Sequence, residues 1–188
     1  PIEMLWAHHP PFGAPLIEAG SKVDLPACFA VTAETPPPAA TLQPSVRAAW
    51  PMLADQDLST IPGDRDNAQD FVRCEDLASG WFAVRNPKRG VGVAVRWDEA
   101  LFPLLGYWRV LGGGDDYPWY GARTMLALEP CCELPSLADA AARGTAIVLA
   151  PGERRETRIE ATLFAADKRP LRDVAWGGTL NWKDADAA

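Results

Sequence analysis

Gly80-Trp-Phe-Ala-Val-Arg-Asn-Pro-Lys-Arg-Gly-Val-Gly-Val-Ala-Val-Arg-Trp97 decides the fold. Two apolar runs flank Asn86-Pro-Lys-Arg-Gly90, a stretch of turn-forming residues. In the second run Val91, Val93, Val95 and Trp97 alternate with Gly92, Ala94 and Arg96, the period of a strand with one face in a core. Strand, tight turn, strand is an antiparallel hairpin. Downstream, the same pattern gives strands over 103–111, 124–129, 145–149 and 156–164, with Pro151-Gly152 as a last hairpin turn. Upstream, Ser21-Lys-Val-Asp-Leu-Pro-Ala-Cys-Phe-Ala-Val-Thr32 reads as one strand or a pair. Between 43 and 76 the signals are mixed, and Ile61-Pro-Gly-Asp-Arg-Asp-Asn67 reads as a polar loop.

One short helix is expected, Leu137 to Arg143, with Ser136 as N-cap, Asp139 in the reciprocal capping position and Gly144 as terminator. Past Asp167 the chain holds Trp176 and Trp182 but little periodicity, so 1–166 is read as the β-sandwich domain and 167–188 as a partly disordered extension. Eighteen prolines in 188 residues, about twice the usual share, disfavour long helices and suit strands joined by shaped turns. The class is mainly β and antiparallel.

Charge and hydropathy exclude partners. A net charge of −7, with no basic stripe, argues against nucleic acid, and no apolar run is long enough to span a bilayer. Four cysteines, two of them the adjacent Cys131 and Cys132, do not make a secreted disulfide scaffold, so a reducing, cytoplasmic setting is expected.

Chemistry has few places to reside. The only two histidines are adjacent, His8 and His9, and in an extended chain their rings point to opposite sides. His9 precedes Pro10, which biases it to an extended backbone. The pair reads either as loop histidines making ordinary hydrogen bonds or as one imidazole facing a site. Glu129 ends the Met125-Leu-Ala-Leu-Glu strand on a face shared with Met125 and Ala127, where poor solvation raises a carboxyl's pKa and makes it a better base. The alternative is a strand-end glutamate reaching water. Tyr107, Trp108, Tyr117, Trp119 and Tyr120 cluster around the 112–116 loop, as stacking surfaces for a sugar or as core. Gly90-Val-Gly92 lacks the third glycine of a dinucleotide site, and no serine sits in G-x-S-x-G. Zinc is not expected, because His8-His9 and Cys131-Cys132 are adjacent pairs rather than C-x-x-C spacings.

Taken together, Leu5-Trp-Ala-His-His-Pro-Pro-Phe-Gly13, then Glu129-Pro130, then Ile147-Val-Leu-Ala-Pro-Gly-Glu153 resemble the aldose 1-epimerase (galactose mutarotase-like) family, over 6–164. The family carries H-x-x-F, a later strand-end glutamate and a late L-x-P-G-E hairpin. The resemblance implies an antiparallel β-supersandwich and a mutarotase with His9 as general acid and Glu129 as general base. It also implies His8 and Trp108 against the sugar, where Trp119 of the aromatic cluster is expected to join them, a hexose-like monosaccharide as substrate, and no cofactor or metal. The two catalytic groups are expected to face each other across the width of a pyranose. His8 stands where the galactose mutarotases usually carry Asn, and only an aromatic role carries over to Trp108. The family's N-terminal half has no counterpart here, so the chain is expected to be the C-terminal part of a supersandwich, completed by that half or by self-association. A non-catalytic carbohydrate-binding or regulatory module on the same fold is the alternative.

Overall fold

The computed structural model describes residues 1–63, 67–114, 117, 120–121 and 124–184. Two antiparallel sheets pack face to face. Across the larger, the strand order is Pro11–Phe12, Thr124–Cys131, Leu104–Leu111, Ala68–Glu75, Phe29–Thr32 and Arg47–Ala49. Across the smaller it is Ile159–Ala165, Val91–Trp97, Trp81–Asn86 and Lys22–Asp24. The Trp81–Asn86 and Val91–Trp97 strands pair as expected, and Gly90 closes their turn at φ 70°, donating its N–H to Asn86 O. The other glycine of that pair serves packing. A Cβ on Gly92 would lie 2.3 Å from Phe164 Cζ, so the ring covers the bare backbone of its neighbouring strand.

Alternation fills the layer between the sheets. Val95, Trp97, Phe82, Val84 and Val23 from the smaller sheet meet Leu105, Tyr107, Leu126, Leu128 and Val72 from the larger. The polar tips of its big rings are satisfied: Trp97 Nε1–H donates to Phe102 O at 2.9 Å, and Tyr107 O–H donates to Leu58 O at 3.0 Å. A buried ion pair sits in the same layer. Arg109 and Asp70, each 1% exposed, meet at 2.9 Å, and Asp70 also accepts the N–H groups of Thr41 and Leu42.

The helix is Leu137–Arg143, with the Ser136 hydroxyl accepting from Asp139 N–H and Gly144 left-handed at φ 69°. Two expectations change. Pro151-Gly152 is a turn but not a hairpin: Ile147–Leu149 pairs with Ile2–Met4, whereas Ile159–Ala165 pairs with Val91–Trp97. The segment past Asp167 is more regular than its weak periodicity suggested. Leu171–Val174 and Leu180–Trp182 pair, and Leu171 and Val174 are buried against Trp81, Ala83 and Ala94 on the outer face of the smaller sheet. Asp24 stitches this hairpin down, holding Arg85 and accepting Leu171 N–H at 3.0 Å. Among the described residues no helix is long and apolar enough to cross a membrane.

Candidate active site

Register brings the candidate pair together. Pro11 lies opposite Ala127 and Ala7 bridges Cys131, so His9, midway between, lies directly opposite Glu129. Each precedes a proline that holds it extended. Pro130 sits inside a strand with neighbours on both sides, which its missing donor should forbid. Its carbonyl accepts His8 N–H at 2.9 Å, and N and O of one strand residue point the same way. The missing N–H therefore faces the irregular edge segment, and the ladder to Leu104–Leu111 is left intact.

His9 Nδ1 and Glu129 Oε1 are 2.7 Å apart, with the imidazole side chain 54% exposed and the carboxylate 16%. The His9 ring stacks on Trp108, centroids 5.7 Å apart and planes 15° from parallel. Burial pushes the Glu129 carboxyl above the ordinary carboxylate range, and the charge and hydrogen bond of His9 pull it back only in part. The two groups are thus in contact rather than a pyranose width apart. The remaining oxygen, Oε2, lies over Gly106, where an added Cβ would stand 3.4 Å from it, 3.3 Å from Glu129 Cβ and 3.2 Å from Phe71 Cζ. Gly106 is directly opposite Glu129, and a side chain there would crowd the carboxylate.

His8 is not brought to this cluster. Alternation turns its ring the other way, 5.1 Å from the buried Phe102 ring and 6.4 Å from that of Trp6. Trp119 lies outside the described residues. Tyr107 faces the core, and Tyr117 and Tyr120 are exposed, edge to face at 6.2 Å. His8, His9, Cys131 and Cys132 do not converge, and no group of three or more His, Cys, Asp or Glu among the described residues could hold a metal ion. The four cysteines are free thiols, and burial pushes that of Cys131 up to about 12.

Two residues beside the pair escaped the sequence reading. Arg73 is opposite Gly106 on its other side, and Phe71 is opposite Trp108, so both share the Glu129 face. Arg73 Nε–H donates to Glu75 Oε1 at 2.7 Å. The signal was present in Ala68-Gln-Asp-Phe-Val-Arg-Cys-Glu75, where Ala, Val and Cys alternate with Gln, Phe, Arg and Glu. The buried Asp70 on the inward face interrupts that alternation as read by polarity.

The comparisons agree with this fold. A family model described as a domain of unknown function (DUF4432) matches residues 1–163. No curated protein matches the chain. Among solved structures, it is similar to a provisionally assigned aldose 1-epimerase from Klebsiella pneumoniae subsp. pneumoniae MGH 78578, at 16% identity and a TM-score of 0.62, over 87% of this chain and 39% of that one. It is also similar to the Slr1438 protein from Synechocystis sp. PCC 6803, at 15% identity and a TM-score of 0.60, over 87% of this chain and 46% of that one. At such identity the likeness is one of fold, and the chain spans less than half the length of either structure.

Proposed function

We propose, from the premise that this chain belongs to the DUF4432 family, that it is an aldose 1-epimerase-like isomerase in which Glu129 and His9 interconvert the anomers of a hexose-like sugar by ring opening. The single observation carrying this is the 2.7 Å contact of imidazole with a partly buried carboxylate on one sheet face. Contact suits the chemistry better than separation does. The anomeric hydroxyl and the ring oxygen are both bonded to C1, so the two proton transfers occur on atoms one bond angle apart, and touching acid and base groups can serve both.

In the forward direction Glu129 takes the proton of the anomeric hydroxyl and the imidazolium of His9 protonates the ring oxygen. The C1–O5 bond breaks, its electron pair staying on oxygen as that oxygen gains the proton, while the O1–H pair becomes the second C–O bond of the aldehyde. Rotation about C1–C2 and reversal of the same transfers give the other anomer and restore both groups. With Nδ1 against Glu129, Nε2 is the nitrogen left for the ring oxygen, and Oε2 is the carboxylate oxygen left for the hydroxyl. Trp108 and Phe71 offer apolar surface to the sugar's C–H face.

Polarimetry of freshly dissolved α-D-glucose and α-D-galactose, with and without protein, tests this reading. Acceleration proportional to protein concentration is expected for at least one aldose. Saccharide binding without acceleration would replace the enzyme by a non-catalytic carbohydrate-binding module. Gly106→Ala probes the geometry of the pair. Its methyl group displaces the carboxylate by a few tenths of an ångström, and we expect the rate to fall about tenfold to a hundredfold with the thermal midpoint little changed. An unaltered rate would mean that the position of Glu129 does not matter.

A further inference from the structure

On the outer face of the smaller sheet, remote in the fold from the Glu129 face of the larger one, lies a cavity of about 490 Å³ lined by Arg96, Asp98, Glu99, Glu156, Thr157, Arg158 and Trp176. Its construction is specific. The turn of the 171–182 hairpin carries Trp176, left 38% exposed, and Gly177 N–H donates to Glu160 Oε2 at 2.9 Å, fixing that turn to the strand below. The guanidinium carbons of Arg158 and Arg96 stand 5.1 and 5.5 Å from the indole centroid. Three side-chain polar atoms among the described residues are buried without a hydrogen-bond partner, and two of them, Arg96 Nε and Thr157 Oγ1, belong to this wall. Buried polar groups are otherwise almost always paired, so two of them in one cavity call for partners from outside the chain, water or a ligand.

The chemistry of that ligand follows from the wall. Two guanidinium groups meet three carboxylates, so the lining is net negative and a free anion is disfavoured. Arg96 is already paired with Glu99 at 3.5 Å and Arg158 with Glu160 at 2.7 Å, which leaves no unneutralised cation to attract one. What the wall offers is donors and acceptors side by side around an aromatic ring. A neutral polyol matches it, with hydroxyls that accept from Arg96 Nε–H, exchange a bond with Thr157 and donate to the carboxylates while the C–H face meets the indole. We propose that this cavity is a second, non-catalytic saccharide-binding site, independent of the Glu129 site.

The test is ¹H–¹⁵N NMR of the tryptophan indole N–H signals, with Trp176→Phe used to assign that of Trp176. The protein is titrated with D-glucose, D-galactose, maltotriose and, separately, inorganic phosphate. A saturable shift of the Trp176 signal with at least one saccharide is expected, and a tighter response to maltotriose than to the monosaccharides would identify the ligand as part of a chain rather than a free sugar. Thr157→Val, which removes only the hydroxyl, should weaken that binding about threefold to tenfold. Glu129→Gln should leave it unchanged, and Trp176→Ala should abolish it while leaving the anomerisation rate intact, which separates this site from the proposed enzyme activity. No saturable shift with any saccharide, a shift with phosphate alone, or a saccharide response untouched by Thr157→Val would overturn the proposal.

Discussion

Glu129→Gln is expected to lose about 10²- to 10⁴-fold of the anomerisation rate, the range of a single positioned acid–base group, while the protein stays folded. The substitution keeps the shape of the side chain and removes only the base. It also removes a charge that burial disfavours, so stability should not fall with activity. Glu133→Gln is the control. Its carboxylate accepts Leu134 N–H at 2.8 Å and the Thr145 hydroxyl at 2.7 Å and pairs with Arg143 at 3.3 Å, all structural contacts, so the rate should stay within about twofold. The pH–rate profile of the unmodified protein should fall on the acid side. Glu129 must be ionised to accept a proton, and burial raises its pKa, so the acid limb should sit above the range of an exposed glutamate. His9→Gln, which removes the proposed acid, should lower the rate across the whole profile. Equal rates for the Glu129 and Glu133 variants would remove the catalytic assignment.

Asp70→Asn is expected to cost about 3–5 kcal/mol of folding stability, read as a lowered urea midpoint at unchanged slope. Asp70 neutralises Arg109 inside the sandwich and accepts the N–H groups of Thr41 and Leu42, so one carboxylate holds a strand to a loop. Removing its charge leaves the Arg109 guanidinium buried and uncompensated, with Gln56 as its other acceptor. Small domains hold only about 5–15 kcal/mol in all, so this variant should stand near its unfolding limit. Replacing both partners, Asp70→Leu with Arg109→Met, should recover a substantial part of the loss, because the expensive state is the lone charge rather than the absent pair. A double variant no more stable than Asp70→Asn would place the effect in the Thr41–Leu42 loop contacts instead.

Local pattern by itself determined eight of the sixteen described strands, the Asn86–Gly90 turn and the capped helix. The reason is that side-chain alternation, positive-φ glycine and N-cap chemistry act over a few residues and leave their mark there. It also marked His9 and Glu129 as candidates, through the proline after each and the apolar neighbours of the glutamate. Tertiary structure decided the rest. That Ile147–Leu149 pairs with Ile2–Met4, and not with the strand after Pro151-Gly152, depends on which open edge each meets, a choice between partners more than a hundred residues apart. Ala68–Glu75 is a central strand whose alternation is masked by a buried Asp70, and only Arg109, 39 positions away, makes that aspartate tolerable in a core. The 171–182 hairpin has weak periodicity because only Leu171 and Val174 are fully buried on it, against a sheet face formed much earlier in the chain. The contact between His9 and Glu129 is of the same kind. Each residue's extended backbone is local, but 120 residues separate them, and the register of two neighbouring strands brings two unrelated side chains into one imidazole–carboxylate contact.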